Sequence, residues 1–406
     1  MQFPSRSIIT TSKLLLPLSV LKPIKTVNRP RSFTMASSSS SSSSSPSPAA
    51  AFARELQVAQ QAVERAALLT SRVFKEAAKG TVSKEDASPV TVGDFGAQAI
   101  IISCLRCSFP EDEIVAEEEA SLLRGNGRLR DVVWRLVDEA DADVEDSSRI
   151  ADADAMVGLL DRGRSQGGAS GRFWAIDPID GTKGFLRGGQ YAVCLALVVD
   201  GDVKVGVLAC PNLPVDDDAR LTDLSDPSSS SSSSSSSTTT QRGVLFSAIL
   251  GKGATSRPLK STGGDATPRP IAMRPIRDLT RATFCESVEA GHSAHGDQAA
   301  IARRLGITEP SVRLDSQAKY GSIARGAGDI YLRLPVKASY QEKIWDHAAG
   351  DLIVREAGGH VSDIYGKRLD FSVGRTLANN KGVVASPAAI HPEVLKAVQH
   401  VLGIEQ

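Results

Sequence analysis

The stretch WAIDPIDGTKGF, residues 174–185, is the part of the sequence that decides the fold and chemistry expected of this chain. An apolar run typical of a buried strand ends abruptly at Asp177, and a second aspartate, Asp180, follows three residues later. Pro178 restricts the backbone between them, so both carboxylates can face one site, and the Ile179 carbonyl is released from a regular ladder. A lone D-P-x-D-G is more often a simple turn, so the pattern needs support from elsewhere in the chain.

Further carboxylates follow apolar or turn segments in the same way. Asp94 lies in TVGDFGAQ, Glu117 and Glu118 lie in VAEEE, and Asp346 lies in IWDHAAG. If these acids converge with the two aspartates of the opening stretch, they repel one another unless cations lie between them. Oxygen ligands without a His/Cys cluster favour Mg²⁺ over Zn²⁺. The set therefore predicts a magnesium site.

Composition limits the class of protein. The chain has 406 residues and a formal net charge of zero, which suits one large or two modest domains and argues against binding to a nucleic-acid polymer or a membrane surface. No apolar run is long enough for a transmembrane helix. Five cysteines form no secreted-type framework, and the pair Cys104 and Cys107 is interpreted as core thiols.

The first 50 residues have the composition of an organelle transit peptide followed by a serine-rich linker. The first acidic residue of the chain is Glu55, and a serine run occupies residues 37–45. A basic, acid-poor leader predicts import into a chloroplast or, alternatively, a mitochondrion. A plain disordered tail is the other interpretation, and a start at Met35 would give a cytosolic form.

Periodicity predicts the main elements. Residues 51–78 have the spacing of a long amphipathic helix, and a second helix is expected to begin near Asp94 as its N-cap. Residues 172–177 and 191–210 are expected to be strands, the latter as a hairpin that turns at Asp200-Gly201.

The chain divides into two predicted subdomains. Residues 51–254 read as an α+β half with the metal site, and residues 255–406 read as an α/β half because strands and helices alternate there. The serine/threonine tract at 228–240 has no apolar side chains to bury, so it is expected to be a disordered insertion in the first half.

Three motifs in this order resemble a known family. VAEEE, WAIDPIDGTKGF and IWDHAAGDLIVREAGG are similar to the signatures of the lithium-sensitive, magnesium-dependent phosphomonoesterases, which include inositol monophosphatases and fructose bisphosphatases. The resemblance covers about residues 51–400. It implies an α+β fold, a layered αβαβα sandwich, with two or three Mg²⁺ ions and inhibition by lithium.

Finer features resemble the 3′(2′),5′-bisphosphate nucleotidases, including plant members of that subfamily. These features are DPIDGTKGFLRGGQYAV, LDSQAKYGSIARG, IYLRLP and YQEKIWDHAAG. Inositol monophosphatases typically have DGTTNF where this chain has Lys183-Gly184-Phe185. The resemblance therefore favours a small bisphosphorylated nucleotide as substrate.

The resemblance also implies residue roles. Asp94 and Thr182 would orient and deprotonate the attacking water. Glu118 would lie next to the metal ligands without binding the metal itself. The implied metal ligands are Glu117, Asp177, the Ile179 carbonyl, Asp180 and Asp346. The implied nucleotide contacts are Thr182, His292, Ser316, Lys319, Arg333 and Asp346. Judged without the resemblance, a lysine after a strand, such as Lys319, is commonly a surface lysine, and Arg333 could pair with Asp329.

The implied activity is hydrolysis of 3′-phosphoadenosine 5′-phosphate to AMP and phosphate, with 3′-phosphoadenosine 5′-phosphosulfate as a second substrate and a place in sulfur assimilation. A monomer without a membrane or nucleic-acid partner is expected. The alternative within enzymes is an inositol (poly)phosphate 1-phosphatase. The alternative outside enzymes is a regulatory protein that senses the nucleotide.

Overall fold

The structure is a computed structural model that describes residues 51–78, 89–144, 147–216, 241–260, 266–288, 294–337 and 339–404. All of these belong to one unit, residues 48–406. The expectations for residues 1–50, for the tract at 228–240 and for His292 lie outside the described residues. The division into subdomains at residue 254 stays a prediction.

Helices and strands follow one another along the chain with these bounds. The helices are α1 (Ala53–Ala78), α2 (Pro89–Ser108), α3 (Ser121–Gly125), α4 (Gly127–Ala140), α5 (Ala153–Leu160), α6 (Thr182–Arg187), α7 (His295–Leu305), α8 (Ala318–Ala324), α9 (Ala348–Glu356) and α10 (His391–Val401). The strands are β1 (Glu113–Ala116), β2 (Arg172–Asp180), β3 (Ala192–Val199), β4 (Asp202–Pro214), β5 (Arg242–Ile249), β6 (Ala254–Pro258), β7 (Arg269–Ile271), β8 (Phe284–Glu286), β9 (Val312–Arg313), β10 (Ile330–Arg333), β11 (Gly359–Ser362) and β12 (Val383–Pro387).

These elements stack in five layers. Helices α1 and α2 pack together and cover one face of a seven-stranded sheet in the order β1-β2-β3-β4-β5-β6-β7. Helices α8 and α9 contact that sheet and also a five-stranded sheet in the order β11-β12-β10-β8-β9. Helices α7 and α10 pack together, and α10 contacts β12. The predicted layered αβαβα sandwich of the α+β class is confirmed.

The seven-stranded sheet is buried on both faces, which explains its apolar sequence. Along β2, Trp174 and Ile176 join the core under α1 and α2, whereas Phe173 and Ala175 join the core that includes α9. A strand covered on both faces has a continuous apolar run instead of an alternating one. The opening stretch therefore begins in the middle of the molecule, and its aspartates emerge where this strand ends.

The predicted hairpin is confirmed in its detail. Strands β3 and β4 pair antiparallel, with Val199 opposite Asp202. Between them, Asp200 has φ 50° and Gly201 has φ 75°. Two successive residues in the left-handed region are what a type I′ turn requires, and Asp followed by Gly is a favoured pair for it.

Two local predictions are wrong. Helix α2 begins at Pro89, so Asp94 lies inside the helix and is not its N-cap. Proline suits the first turn of a helix, and the apolar spacing used for the prediction did not reveal the extra turn. Cys104 is buried as predicted, but Cys107 is exposed near the end of α2 and hydrogen-bonds Ser147 at 2.8 Å. All five cysteines are free thiols.

Membrane insertion gains no support from the described part of the chain. None of the helices there combines the length and the apolar character needed to cross a bilayer.

Candidate active site

A cavity of about 320 Å³ opens where β2 ends, and it gathers most of the predicted site residues. Those that line it are Glu117, Asp177, Ile179, Asp180, Thr182, Ser316, Lys319, Arg333 and Asp346. Asp94 and Glu118 do not line the cavity, but the charge of Glu118 acts on Glu117 and the charge of Asp94 acts on Asp177. The cavity therefore joins segments that are far apart in sequence into one charged site.

The end of β2 carries a bulge that brings its two aspartates to the same side. In the pairing of β2 with β3, Asp177 lies opposite Cys194 and Asp180 lies opposite Ala192. An advance of three residues along β2 therefore matches an advance of two residues along β3. On a regular strand, the side chains of residues three apart point to opposite faces. The extra residue of the bulge brings both side chains to the same face. Pro178, which cannot donate a ladder hydrogen bond, lies inside the bulge.

Gly181 makes the turn from this strand into α6. Its φ of 87° is in the left-handed region, and an added Cβ would lie 2.8 Å from the Ser316 Cβ. Glycine meets both constraints because it has no side chain. Thr182 is the first residue of α6, and its hydroxyl donates to the Ile179 carbonyl at 3.5 Å. The turn thus sets the threonine hydroxyl beside the carbonyl predicted as a ligand.

Glu117 and Glu118 follow β1 in a loop that α2 holds in place. The Gln98 side chain donates to the Glu118 carbonyl at 2.8 Å and accepts from the Glu118 N–H at 2.9 Å. Asp94 lies one helical turn before Gln98 and is buried. Burial, with the nearby charges of Glu118 and Glu117, raises the pKa of Asp94 well above its usual range.

Burial raises the pKa of each predicted metal-binding carboxyl, and repulsion between acids adds to it for Glu117, Asp177 and Asp346. For Glu117, burial followed by the charges of Glu118 and Asp180 raises the pKa to about 7. Burial, then Glu117, raises the pKa of Asp177, and burial, then Asp180, raises that of Asp346. Burial also raises the pKa of Asp180, although Lys319 and the Gln317 N–H act in the opposite direction. Protein groups alone leave these carboxylates poorly compensated.

The donor set fits divalent cations with a preference for oxygen. Asp177 Oδ1 is buried, and among the described residues it has no hydrogen-bond partner. A buried carboxylate oxygen without a partner is costly unless a cation binds it. Carboxylate and carbonyl oxygens are the ligands that Mg²⁺ and Ca²⁺ take, whereas structural zinc prefers thiolate and imidazole.

Two basic side chains face these acids across the cavity. Lys319 is buried, which lowers its pKa to about 8, and its ammonium donates to the Ser316 carbonyl at 2.9 Å and the Leu314 carbonyl at 3.2 Å. Arg333 pairs with Glu342 at 3.1 Å. The alternative pairing of Arg333 with Asp329 is wrong, since Asp329 pairs with Arg274. Lys319 is likewise not a surface lysine.

Ser316 takes part in the turn that presents Lys319. Its φ of 66° is unusual for a residue with a side chain, and its hydroxyl accepts from the Ala318 N–H at 3.1 Å. A left-handed residue that is not glycine costs about 1–2 kcal/mol, so the surrounding contacts must hold it there. Such strain at a cavity wall is common where geometry serves binding.

Sequence reasoning missed three buried residues that hold the site together, Gln98, Gln317 and Glu342. Gln317 donates its backbone N–H to Asp180, and its side chain bonds the Trp345 carbonyl at 2.7 Å and the Gly350 N–H at 2.9 Å. Burial alone would raise the pKa of Glu342, but the hydrogen bonds and charges of His347 and Arg333 outweigh it. The net result is a pKa of about 2. Gln317 and Glu342 lie inside the quoted motifs LDSQAKYGSIARG and YQEKIWDHAAG, but amides and glutamates usually lie on the surface, so neither was singled out.

The fold and the acidic cavity define a site suited to divalent metal ions, and comparisons with known proteins show the family to which the chain belongs. The sequence model of the Inositol monophosphatase family matches residues 51–402. The solved structure of Mycobacterium tuberculosis SuhB has a TM-score of 0.52 and 21% identity, covering 87% of this chain and 98% of that one. That likeness shows the fold. The chain belongs to the inositol monophosphatase family.

Curated relatives point to one branch of this family. A 3′(2′),5′-bisphosphate nucleotidase of Emericella nidulans is 62% identical over 358 residues, covering 87% of this chain and 99% of the relative. The enzyme of that name from Oryza sativa is 43% identical over 354 residues, covering 86% and 94%. The predicted resemblance to this subfamily is confirmed. The greater likeness to the fungal protein gives no support to a chloroplast address.

Proposed function

We propose that this chain hydrolyses 3′-phosphoadenosine 5′-phosphate to AMP and phosphate. One observation carries the proposal: buried carboxylates that suit metal ions share a cavity with Lys319 and Arg333. A substrate with two phosphates needs both kinds of group, because metals at the reacting phosphate leave the second phosphate uncompensated. The names of the curated relatives support this substrate, and 3′-phosphoadenosine 5′-phosphosulfate is proposed as a second one.

The proposed cofactor is Mg²⁺, with two or three ions held by the five predicted oxygen ligands. The proposed ligands are Glu117, Asp177, the Ile179 carbonyl, Asp180 and Asp346. Bound there, the ions would neutralise the phosphate and make water a better nucleophile. Lithium is proposed to inhibit by competing for one of these positions.

The chain's own groups complete the proposed reaction. Thr182 would orient the attacking water through its hydroxyl, and Asp94 would receive the proton that Thr182 relays. Lys319 and Arg333 would hold the 5′-phosphate, the arginine through a bidentate fork. His292 and Ser316 are proposed to contact the nucleotide. Direct attack by water needs no side-chain nucleophile, so no phosphorylated enzyme is expected.

The central test compares Asp177→Asn with wild type in the full chain. Phosphate release from the bisphosphonucleotide in Mg²⁺ is expected to fall at least about 100-fold, because one charged ligand is lost. The rise in melting temperature caused by Mg²⁺ alone should shrink in parallel. The matched control is Asp200→Asn at the β3–β4 turn, where asparagine also tolerates a positive φ and activity should persist. Unchanged activity of Asp177→Asn would overturn the metal assignment.

Substrate choice is tested on the same preparation. Turnover of the bisphosphonucleotide should exceed turnover of inositol 1-phosphate, and lithium should inhibit both. A preference for inositol phosphate of about tenfold or more would favour the 1-phosphatase alternative. Tight nucleotide binding without turnover, with both Mg²⁺ and substrate saturating, would favour the regulatory alternative.

Cellular context is part of the proposal. We propose that residues 1–50 direct the chain to an organelle, with the chloroplast and the mitochondrion as the two candidates, and a start at Met35 as the cytosolic alternative. Removal of bisphosphonucleotides would place the enzyme in sulfur assimilation. A monomer is proposed, and light scattering of the purified protein tests it.

A further inference from the structure

A chain of buried polar side chains leads from the cavity wall into the core. The Arg333 Nε donates to Glu342 Oε1 at 3.1 Å. The other oxygen, Glu342 Oε2, lies 3.2 Å from His347 Nε2, and His347 Nδ1 lies 2.8 Å from the Tyr320 hydroxyl. Glu342, His347 and Tyr320 are all nearly inaccessible to solvent. Every link is a heavy-atom contact within hydrogen-bond range.

A metal site is the first alternative for this cluster. Ligand atoms of Glu342, Asp346 and His347 lie within 4.8 Å of one another. However, both ring nitrogens of His347 and both carboxylate oxygens of Glu342 already have hydrogen-bond partners. The arrangement is therefore a satisfied hydrogen-bond network that borders Asp346, and Glu342 serves Arg333 in it.

Arg333 needs such a partner because of what else surrounds it. The charge of Arg333 acts on both Asp180 and Asp346, two of the proposed metal ligands. A flexible arginine beside those carboxylates would pair with them and oppose the binding of cations. The Arg333 Nε is bound to Glu342 and the side chain also hydrogen-bonds the Tyr340 hydroxyl, but a guanidinium has five N–H donors and keeps others for another anion.

We infer that Glu342 is a positioning residue that fixes Arg333 for the phosphate that is not hydrolysed. This inference rests on the proposed function and adds the source of its selectivity for a second phosphate. Glu342 orients the guanidinium through Nε and keeps it away from Asp180 and Asp346. The substrate's second phosphate then meets an arginine that is already ordered, which removes part of the entropic cost of binding.

The test compares two substrates that differ only in the second phosphate. One is 3′-phosphoadenosine 5′-phosphate, and the other is adenosine 3′-phosphate, which lacks the 5′-phosphate. In Glu342→Gln, kcat/KM for the bisphosphate should fall about tenfold to 100-fold, mainly through KM, because the carboxylate that pairs with the guanidinium becomes an uncharged amide. For the monophosphate, kcat/KM should change by less than about twofold.

A double-mutant cycle separates positioning from general destabilisation. Arg333→Met should lose the preference for the bisphosphate, and adding Glu342→Gln to it should cause little further loss. The matched control is Glu64→Gln, which weakens another buried Glu–Arg pair, with Arg257 at 2.8 Å, remote from the cavity. This control should lower the melting temperature and leave the ratio of the two substrates unchanged.

The outcomes separate a failure of the proposed substrate from a failure of the role inferred for Glu342. A wild-type enzyme without preference for the bisphosphate would overturn both the proposed substrate and this inference. A preference that survives Glu342→Gln, or equal loss on both substrates, would overturn the inference alone. If Glu342→Gln does not fold, Glu342→Asp is measured instead. It keeps the charge but shortens the reach, and an unchanged substrate ratio would again overturn the inference.

Discussion

Gly184→Ala is the substitution that tests most directly how the local backbone shapes the site. Gly184 lies in α6 at the cavity wall, where an added Cβ would be 2.2 Å from the Gln190 carbonyl oxygen and 2.8 Å from the Asp315 Cβ. The first contact is roughly 1 Å short of ordinary van der Waals distance, so backbone must move. Either α6 shifts, with Thr182 on it, or the segment at Gln190 shifts.

Overpacking of this kind costs about 1–3 kcal/mol of unfolding free energy, partly offset by about 1 kcal/mol because alanine favours helix. A displacement of about 1 Å in groups that position substrate lowers turnover about 100-fold. Urea unfolding measures the first effect, and kcat/KM for the bisphosphonucleotide measures the second. Activity is expected to fall much further than stability.

The matched control is Gly158→Ala in α5. An added Cβ there meets no atom within 4 Å, so the substitution should raise stability by about 0.5–1 kcal/mol and leave activity unchanged. If Gly184→Ala keeps kcat/KM within about threefold of wild type, the close approach at Gln190 does not set the geometry of the site.

Two further predictions concern buried polar groups. Gln317→Leu should destabilise the fold by about 2–5 kcal/mol and weaken the Mg²⁺-induced rise in melting temperature, because the Trp345 carbonyl and the Gly350 N–H lose their partner; an unaltered Mg²⁺ response would contradict this. Burial, then the charge of His360, lowers the pKa of His391 to about 4, whereas the unfolded chain binds that proton near pH 6.5. Stability from this group is therefore complete above about pH 6.5 and is lost as the pH falls toward 4, by about 2 kcal/mol at pH 5. The drop between pH 7 and pH 5 in urea unfolding should be smaller by that amount in His391→Gln, and an identical pH dependence would refute the reasoning.

The sequence was informative where the chain repeats a simple period. The long helix at residues 53–78 and the hairpin at Asp200-Gly201 were predictable because burial and turn chemistry leave direct marks on composition. The start of α2 was not predictable, because an extra helical turn before Asp94 changes no apolar spacing. The exposure of Cys107 depends on where a helix end emerges from its neighbours, which is a property of the tertiary structure.

For the site, the ligand types were predictable and their support was not. Acids after apolar runs indicated a cation site, but the bulge that brings Asp177 and Asp180 to one side exists only in pairing with β3. Gln98 and Gln317 act through backbone groups of segments distant in sequence, so even the motif that contains Gln317 does not reveal this role. The same holds for Glu342, four residues before Asp346 and indistinguishable in sequence from a surface glutamate.

The charges in the cavity explain why residues 174–185 end as they do. Burial raises the pKa of the Asp177 and Asp346 carboxyls and lowers the pKa of Lys319, so it disfavours the charged form of all three side chains. The protein's own groups do not fully compensate for this. Bound cations would favour the charged form of the two carboxylates, and a bound phosphate would favour the charged form of Lys319. A ligand pair of metal ions and a polyanion therefore stabilises both at once, and each should strengthen the binding of the other. Metal affinity measured with and without inorganic phosphate should show this coupling, and equal affinities would remove the electrostatic argument for it.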